Sequence, residues 1–181
     1  MQSQPFQSSI KLSHVAGISA AVTAMIAGSH IEVPFYPVPM TLQTLAILST
    51  GLVLGLRQGG IAIASFLGLG ALGLPVFAGG KGGMAVFFGP TGGYLIGFAL
   101  AVLFCGFARD RGWTRSLPGA AIVALIGAAL VYPTGILQLG AVLGWDKPIL
   151  EWGLTPFILG DVTKAFIAAF GVTLGARIFQ R

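Results

Sequence analysis

Long apolar stretches, separated only by short polar, proline-rich or glycine-rich breaks, run through nearly the whole chain. Charged residues make up 8% of the sequence, whereas an average soluble domain contains about 25%. A soluble domain of 181 residues needs a polar shell, because much of its surface faces water. Too few polar residues are present to form that shell. The sequence therefore predicts an integral membrane protein whose outer surface contacts lipid.

The number and length of the apolar stretches predict the architecture. A helix that crosses the hydrocarbon core needs about 20 mostly apolar residues. Six stretches approach this length, and no interval repeats, so we expect one all-α membrane domain over residues 1–181, a six-transmembrane-helix bundle. The expected helices cover residues 13–31, 41–56, 60–74, 91–108, 117–143 and 156–178.

Prolines and glycines mark where these helices are interrupted. Three prolines within residues 32–40 predict extended or irregular backbone after the first helix. The polar break at residues 57–59 is expected to separate the second and third helices. Pro133 and Gly135 predict a kink or break near Tyr132 in the fifth helix.

The loop charges sort by side of the membrane and so predict an orientation. With six spans, seven basic residues lie on the side of both termini: Lys11, Arg57, Arg109, Arg111, Arg115, Arg177 and Arg181. The opposite side carries Lys81, Lys147, Glu32, Asp146 and Glu151. Because positive residues remain inside, both termini are expected in the cytoplasm of a multi-pass cell-membrane protein. This sorting explains the net charge of +5 without a nucleic-acid partner.

One pair of charges lies inside an expected helix rather than in a loop. Asp161 and Lys164 are separated by three residues, which places both side chains on one helical face. A charge at membrane depth costs roughly 2.5 to 3.5 kcal/mol on insertion scales. Two explanations remain: a structural ion pair or outward-reaching lysine, or a site for a polar ligand near the outer surface. We favour the ligand site.

Two glycine-rich segments lie beside the same outer surface. Gly79-Gly-Lys-Gly-Gly83 lets backbone N–H groups approach a ligand. It lacks the Ser or Thr that follows Gly-Lys in a Walker A loop, so ATP binding by that route is not expected. Gly89-Pro-Thr-Gly-Gly-Tyr94 places Tyr94 either against the ligand or at the membrane interface. Gln43 either lines the same cavity or caps backbone groups.

Small residues recur along one face of the first helix. Ala16, Ala20 and Ala24 are spaced by four residues, a pattern that permits close helix–helix contact. The contact is either internal or with a partner membrane protein. His14 and His30 are too far apart to share a metal ion, and nothing resembles a nucleophile–base pair. We therefore expect neither a metal site nor an enzyme.

Three stretches of the chain resemble a known family in their order and composition. They are Val33-Pro-Phe-Tyr-Pro-Val-Pro-Met-Thr-Leu-Gln-Thr44, then Gly73-Leu-Pro-Val-Phe-Ala-Gly-Gly80 with Gly89-Pro-Thr-Gly-Gly-Tyr94, and Gly160-Asp-Val-Thr-Lys164. These stretches resemble the BioY family, the biotin-specific S components of energy-coupling factor (ECF) transporters. The resemblance extends from Lys11 to Arg177.

The resemblance implies a biotin site near the outer surface, with Asp161 and Lys164 holding the polar parts of the ligand. The proline-rich segment acts as a lid in such proteins, and both glycine-rich segments contribute to the site. Lys81 could meet the biotin carboxylate at the mouth. The remaining residues expected to contact the ligand are Gln43, Gly83, Phe35, Tyr36, Phe87 and Tyr94.

The resemblance also implies partners and a source of energy. The stripe of Ala16, Ala20 and Ala24 matches the surface on which the ECF transmembrane coupling subunit docks. Two ATPases then hydrolyse ATP, and this chain needs no cofactor. The alternative is a solitary proton-coupled secondary transporter of biotin or another small vitamin, with Asp161 and Lys164 carrying protons.

Overall fold

The computed structural model describes the backbone of residues 12–179 and the side chains of residues 12–175. Lys11 and Arg181, and the side chain of Arg177, lie outside this part of the chain. Helices and one two-stranded hairpin form the fold, in the following order: α1 (Leu12–His30), β1 (Glu32–Val33), β2 (Met40–Thr41), α2 (Gln43–Ala71), α3 (Gly92–Asp110), α4 (Leu117–Ala129), α5 (Val131–Leu143), α6 (Ile149–Gly153) and α7 (Ile158–Phe179).

Most of these helices are apolar enough to cross a bilayer. Within the described residues, five helical runs meet the length and hydropathy of a membrane span: Leu12–His30, Gln43–Ala71, Gly92–Asp110, Leu117–Leu143 and Ile149–Gly175. The prediction of an all-helical membrane protein is confirmed at this level. The second run stands where the sequence predicts two helices, residues 41–56 and 60–74.

The helical path of α2 reverses at Gly55. Gly55 has a positive φ of 77°, a conformation that glycine adopts without steric cost. A Cβ atom built on Gly59 would lie 3.7 Å from the Cα of Gly51. Eight residues of uninterrupted α-helix rise about 12 Å, so the segments before and after Gly55 pack side by side as a helical hairpin. The expected break at residues 57–59 is therefore displaced to Gly55, where the glycine and not the arginine permits the turn.

A carboxylate at the end of α3 stabilises this reversal. The Leu56 N–H, the first donor of the second segment, donates to Asp110 Oδ2 at 2.9 Å. Arg109 Nη1 donates to the other carboxylate oxygen at 3.0 Å. A Cβ atom on Gly55 would overlap with Asp110 Oδ1. Asp110 thus acts as an N-terminal cap for the returning helix.

The fifth expected helix is divided into α4 and α5 at Leu130. Pro133 has no N–H to donate to the carbonyl four residues earlier, at Ala129, so the regular pattern ends there. This confirms the predicted break near Tyr132. Before the break α4 packs along α7, whereas after it α5 packs mainly against α3. The divergence leaves space between α5 and the first turns of α7.

Helix α3 lies at the centre of the bundle, against α2, α4 and α5. Its Val102 is fully buried between the two segments of α2, close to Gly51 and Gly59. Small residues at these positions let the helices approach closely, as in other membrane bundles.

One end of the bundle is covered by the β-hairpin and by the loop from residues 72 to 91. Strands β1 and β2 pair antiparallel, with Glu32 opposite Thr41 and Val33 opposite Met40. The connection between them contains a cis bond before Pro37. Phe77 and Lys81 pair through two backbone hydrogen bonds of 3.0 and 3.2 Å and close a tight loop. These two segments roof the space between the helices.

Candidate functional site

A cavity opens beneath this roof, where the first turns of α2, α3 and α7 meet the start of α5. Its empty volume is about 700 Å³ when the solvent space at its open mouth is counted. Eighteen residues line it: Val38, Pro39, Thr41, Gln43, Thr44, Phe77, Ala78, Lys81, Val86, Thr91, Tyr94, Leu95, Phe98, Val131, Tyr132, Phe157, Asp161 and Lys164.

Asp161 and Lys164 form a buried ion pair on the cavity wall. Lys164 Nζ donates to Asp161 Oδ1 at 2.8 Å, and the two residues are 7% and 6% exposed. Asp161 lies in the first turn of α7, which begins at Ile158 rather than at residue 156. The three-residue spacing brings both side chains to one face, as the sequence predicts. The pair offers a carboxylate acceptor and an ammonium donor at one place.

Tyr132 completes this polar group, although sequence alone marks it only as the position of a kink. Its hydroxyl donates to Asp161 Oδ2 at 2.6 Å, so both carboxylate oxygens are engaged. The break at Leu130 directs Tyr132 across the space towards α7. A phenol in an apolar helix was the available signal, because a buried tyrosine hydroxyl needs a hydrogen-bond partner.

Gln43 is a second polar group, at the start of α2. Its side chain is 3% exposed and lines the cavity. Among the residues that the structure describes, its Nε2 atom is the one buried side-chain nitrogen or oxygen without a hydrogen-bond partner. A buried donor without a partner costs roughly 1 to 3 kcal/mol. A ligand acceptor in the cavity would remove that cost.

Aromatic rings form much of the remaining wall. Phe77, Phe98 and Phe157 line the cavity and are buried. Tyr94 also lines it, but its hydroxyl donates to the Gly153 carbonyl oxygen at 2.8 Å. Tyr94 is thus buried inside the bundle rather than at a membrane interface, and it presents its ring to the cavity. Apolar walls with few polar groups are typical of small-molecule sites.

Phe87 lies behind this wall and not on it. Its ring packs edge to face against the ring of Phe77, with centroids 5.6 Å apart. Gln138 on α5 fixes the backbone beside it, since Nε2 donates to the carbonyl oxygens of Phe87 and Gly89 at 2.6 and 2.8 Å. The glycine-rich turn before Tyr94 is thereby held against α5.

The loop containing Lys81 borders the mouth of the cavity. Lys81 lines the cavity and is exposed to solvent. The Gly83 N–H donates to the Gly70 carbonyl oxygen at 2.7 Å, so this amide holds the loop against α2. Lys81 is therefore exposed at the cavity, whereas the Gly83 amide supports the loop.

The connection between β1 and β2 contributes different residues from those expected. Phe35 is 46% exposed and Tyr36 is 85% exposed, and both lie outside the lining. Val38 and Pro39 line the cavity instead, and Val38 is buried. The segment thus covers the cavity with its second half, while the aromatic side chains of its first half face outwards.

The alanine stripe lies away from the cavity. Ala16, Ala20 and Ala24 are all exposed on α1, whereas Ala21 and Met25 on the opposite face are buried in the bundle. The other face of the helix therefore makes the internal contacts, and internal packing does not explain the alanine stripe.

The sequence was compared with protein families and with known proteins. The family model described as "BioY family" matches residues 2–181. A probable biotin transporter BioY from Pyrococcus horikoshii is 38% identical over 88% of this chain and 93% of its own length. The biotin transporter BioY from Thermotoga maritima is 37% identical over 85% of this chain and 89% of its own length.

A solved structure is similar as well. The crystal structure of the S-component for biotin from an ECF-type ABC transporter superposes with a TM-score of 0.79 and is 30% identical. The similarity covers 94% of this chain and 93% of that chain. The family expected from the sequence motifs is confirmed: the chain belongs to the BioY family.

Proposed function

We propose that this chain is the membrane-embedded, biotin-binding S component of an ECF transporter and takes part in biotin uptake. One observation carries the proposal: the buried Asp161–Lys164 pair faces a cavity whose other walls are largely apolar. Charged residues inside a membrane-spanning helix are costly, and where they occur they usually mark a functional site. The choice of biotin as the ligand rests on the relatives named as biotin transporters and on the solved S-component for biotin.

The ureido ring of biotin suits the polar group on α7. It carries two N–H donors and one carbonyl acceptor, and Asp161 can accept from an N–H while Lys164 donates to the oxygen. Charge-assisted hydrogen bonds of this kind are strong and geometrically selective in a dry cavity. The rings of Phe77, Phe98 and Tyr94 then cover the apolar bicycle.

The valerate tail extends to the mouth in this orientation. Lys81 is the cation exposed there and attracts the carboxylate. A ureido fragment without the tail tests the orientation, because it should lose affinity on Lys164→Ala and not on Lys81→Ala. Unchanged binding of the fragment to the Lys164→Ala protein would reverse the assignment of the two ends.

Six spans and cytoplasmic termini belong to the same proposal. The reversal at Gly55 supports two spans within α2, which raises five helical runs to six. Arg57, Arg109, Arg111 and Arg115 then face the cytoplasm, in keeping with the positive-inside rule. The cavity opens on the other side, where the ligand arrives from outside the cell membrane.

Transport by this proposal needs partner subunits. The exposed stripe of Ala16, Ala20 and Ala24 supports docking of a transmembrane coupling subunit, since small residues permit close approach. ATP hydrolysis is then assigned to two ATPases, and no enzymatic role to this chain. A solitary proton-coupled carrier would have no partner helix to pack against this exposed stripe.

Calorimetric titration of biotin into the purified chain in detergent tests the proposal. We expect one-site binding that is lost in the Asp161→Asn and Lys164→Ala proteins. Asp110→Asn is a matched control, because it makes the same change of carboxylate to amide at the opposite end of the bundle. A folded wild-type chain that binds no biotin, or equal affinities in the Asp161 and Asp110 variants, would refute it.

Transport assays separate the two modes of energy supply. Uptake that requires the coupling subunit with active ATPases, and that fails with Ala20→Trp, would support the S-component role. Uptake by the chain alone, abolished by an uncoupler and unaffected by loss of ATP, would support the solitary carrier instead.

A further inference from the structure

We propose that Tyr132 is a ligand-binding residue, whose phenol oxygen accepts one ureido N–H while its proton holds the Asp161 carboxylate in place. The inference rests on the proposed function, since it concerns how the same cavity recognises a cyclic urea. It adds a residue that neither the sequence motifs nor the names of the relatives assign to the site.

The first step is the direction of the hydrogen bond. An ionised carboxylate only accepts, so the 2.6 Å contact between Tyr132 and Asp161 Oδ2 uses the phenol proton. The phenol oxygen keeps its acceptor lone pairs. Donation to a charged group polarises the hydroxyl, and hydrogen bonds in such chains strengthen one another. The oxygen therefore becomes a better acceptor than that of an isolated tyrosine.

The second step is a count of donors and acceptors. Asp161 has about four acceptor positions and Lys164 three donors, and their mutual bond uses one of each. With Tyr132, the group offers a donor from Lys164 and acceptors from both Asp161 and Tyr132. A cyclic urea presents one carbonyl flanked by two N–H groups along one edge. With Asp161 accepting from one N–H and Tyr132 from the other, neither ureido N–H is left without a partner.

The third step is position. Tyr132 lines the cavity and is half-buried, just beyond the break at which α5 diverges from α7. It thus reaches Asp161 from the opposite wall. A ligand edge placed against Asp161 therefore also meets the phenol oxygen, which lies 2.6 Å from the carboxylate. Tyr94, the other tyrosine of the cavity wall, donates to the Gly153 carbonyl and serves the packing of α6.

The test compares biotin with its two derivatives that carry a methyl group on one or the other ureido nitrogen. In the wild-type protein both derivatives should bind at least tenfold more weakly than biotin, because both N–H groups are held. In the Tyr132→Phe protein biotin itself should lose about tenfold to hundredfold, the range for a hydrogen bond within a charged group. The penalty for methylating the nitrogen that faces Tyr132 should then fall about tenfold, while the penalty for the other nitrogen persists.

A purely structural tyrosine would behave differently. If Tyr132→Phe weakens biotin and both derivatives by the same factor, Tyr132 only supports Asp161, and the inference is wrong. Tyr94→Phe is the matched variant, for which we expect the same factor with all three ligands. If Tyr132→Phe does not fold, the wild-type protein still decides, because a methylated derivative that binds as tightly as biotin leaves one N–H without a role. Failure of the proposed function is distinct, since biotin would then not bind the wild-type chain at all.

Discussion

The Ser29 hydroxyl lies 2.6 Å from the carbonyl oxygen of Val76 and is fully buried. It joins the C-terminal end of α1 to the loop whose Phe77 and Lys81 line the cavity. The same hydroxyl is 2.7 Å from the carbonyl oxygen of Ile26 within its own helix. A movement of α1 would therefore displace the loop that roofs the cavity.

Ser29→Ala should loosen that roof. Loss of the hydroxyl leaves the buried Val76 carbonyl without this donor, which costs roughly 1 to 3 kcal/mol. We expect a lower thermal unfolding temperature and a several-fold faster dissociation of biotin. Thr163→Ala is the control, because its hydroxyl donates only to Leu159 of its own exposed helical face. Equal effects of the two substitutions would contradict a role for the Ser29 bridge.

The Asp161–Lys164 pair should show the asymmetry of buried ion pairs. Lys164→Met leaves a buried carboxylate without its cation, and removing one partner of such a pair costs about 3 to 5 kcal/mol. The double variant Asp161→Asn/Lys164→Met removes both charges and should be more stable than either single variant. None of the three should bind biotin. Thermal unfolding in detergent with and without biotin measures both effects, and a double variant less stable than both singles would be unexpected.

Gln43→Leu should weaken biotin binding and stabilise the ligand-free protein. The substitution removes a buried amide that has no partner for Nε2 in the described structure, so the ligand-free protein should unfold at a higher temperature. The same change removes a donor from the cavity, so the temperature shift caused by biotin should shrink. A smaller shift without stabilisation would indicate that an ordered water already satisfies the amide.

Sequence alone predicted the parts of this site whose chemistry conflicts with a bilayer. Asp161 and Lys164 could be identified because charges inside an apolar helix need a reason, and their spacing fixed the shared face. Phe98 could not be identified, since an apolar ring in an apolar helix is ordinary. The phenol of Tyr132 signals a need for a hydrogen-bond partner, but the partner is known only once the neighbours across the cavity are placed. Phe35 and Tyr36 show the converse, because a motif residue can lie in the right segment and face outwards.

The architecture divides in the same way. Apolar length predicted an all-helical membrane protein, and Pro133 predicted the break between α4 and α5. The break was displaced from its expected position to Gly55, where the returning helix is capped by Asp110, which lies 54 residues from Leu56 in sequence. Such a cap becomes visible only when α3 is placed beside α2.

Lys81 should make binding depend on the negative charge of the biotin carboxylate. Lys81→Ala should weaken biotin several-fold and leave the affinity of biotin methyl ester unchanged, since only the free acid carries a negative charge. The lysine is exposed, so this preference should decrease between 0.1 and 1 M salt as the screening length falls from about 10 to about 3 Å. Lys147→Ala is a matched control, because Lys147 pairs with Asp146 outside the cavity lining. An equal loss for acid and ester would assign Lys81 to the structure of the loop.

The reversal at Gly55 provides the test of six spans. Gly55→Ala forces a side chain into a positive φ and into the space of Asp110 Oδ1, so it should lower the thermal unfolding temperature by more than Asp110→Ala, which removes a cap worth about 1 kcal/mol. Gly68→Ala is the control, since a Cβ atom there meets nothing within 4 Å.

For topology, single cysteines at Arg57 and Lys147 in a Cys105→Ala background can be labelled with a membrane-impermeant maleimide in intact cells. We expect labelling at residue 147 and protection at residue 57, because the proposed topology places the turn after Gly55 on the cytoplasmic side. Labelling of both positions from outside would mean that α2 does not return across the membrane.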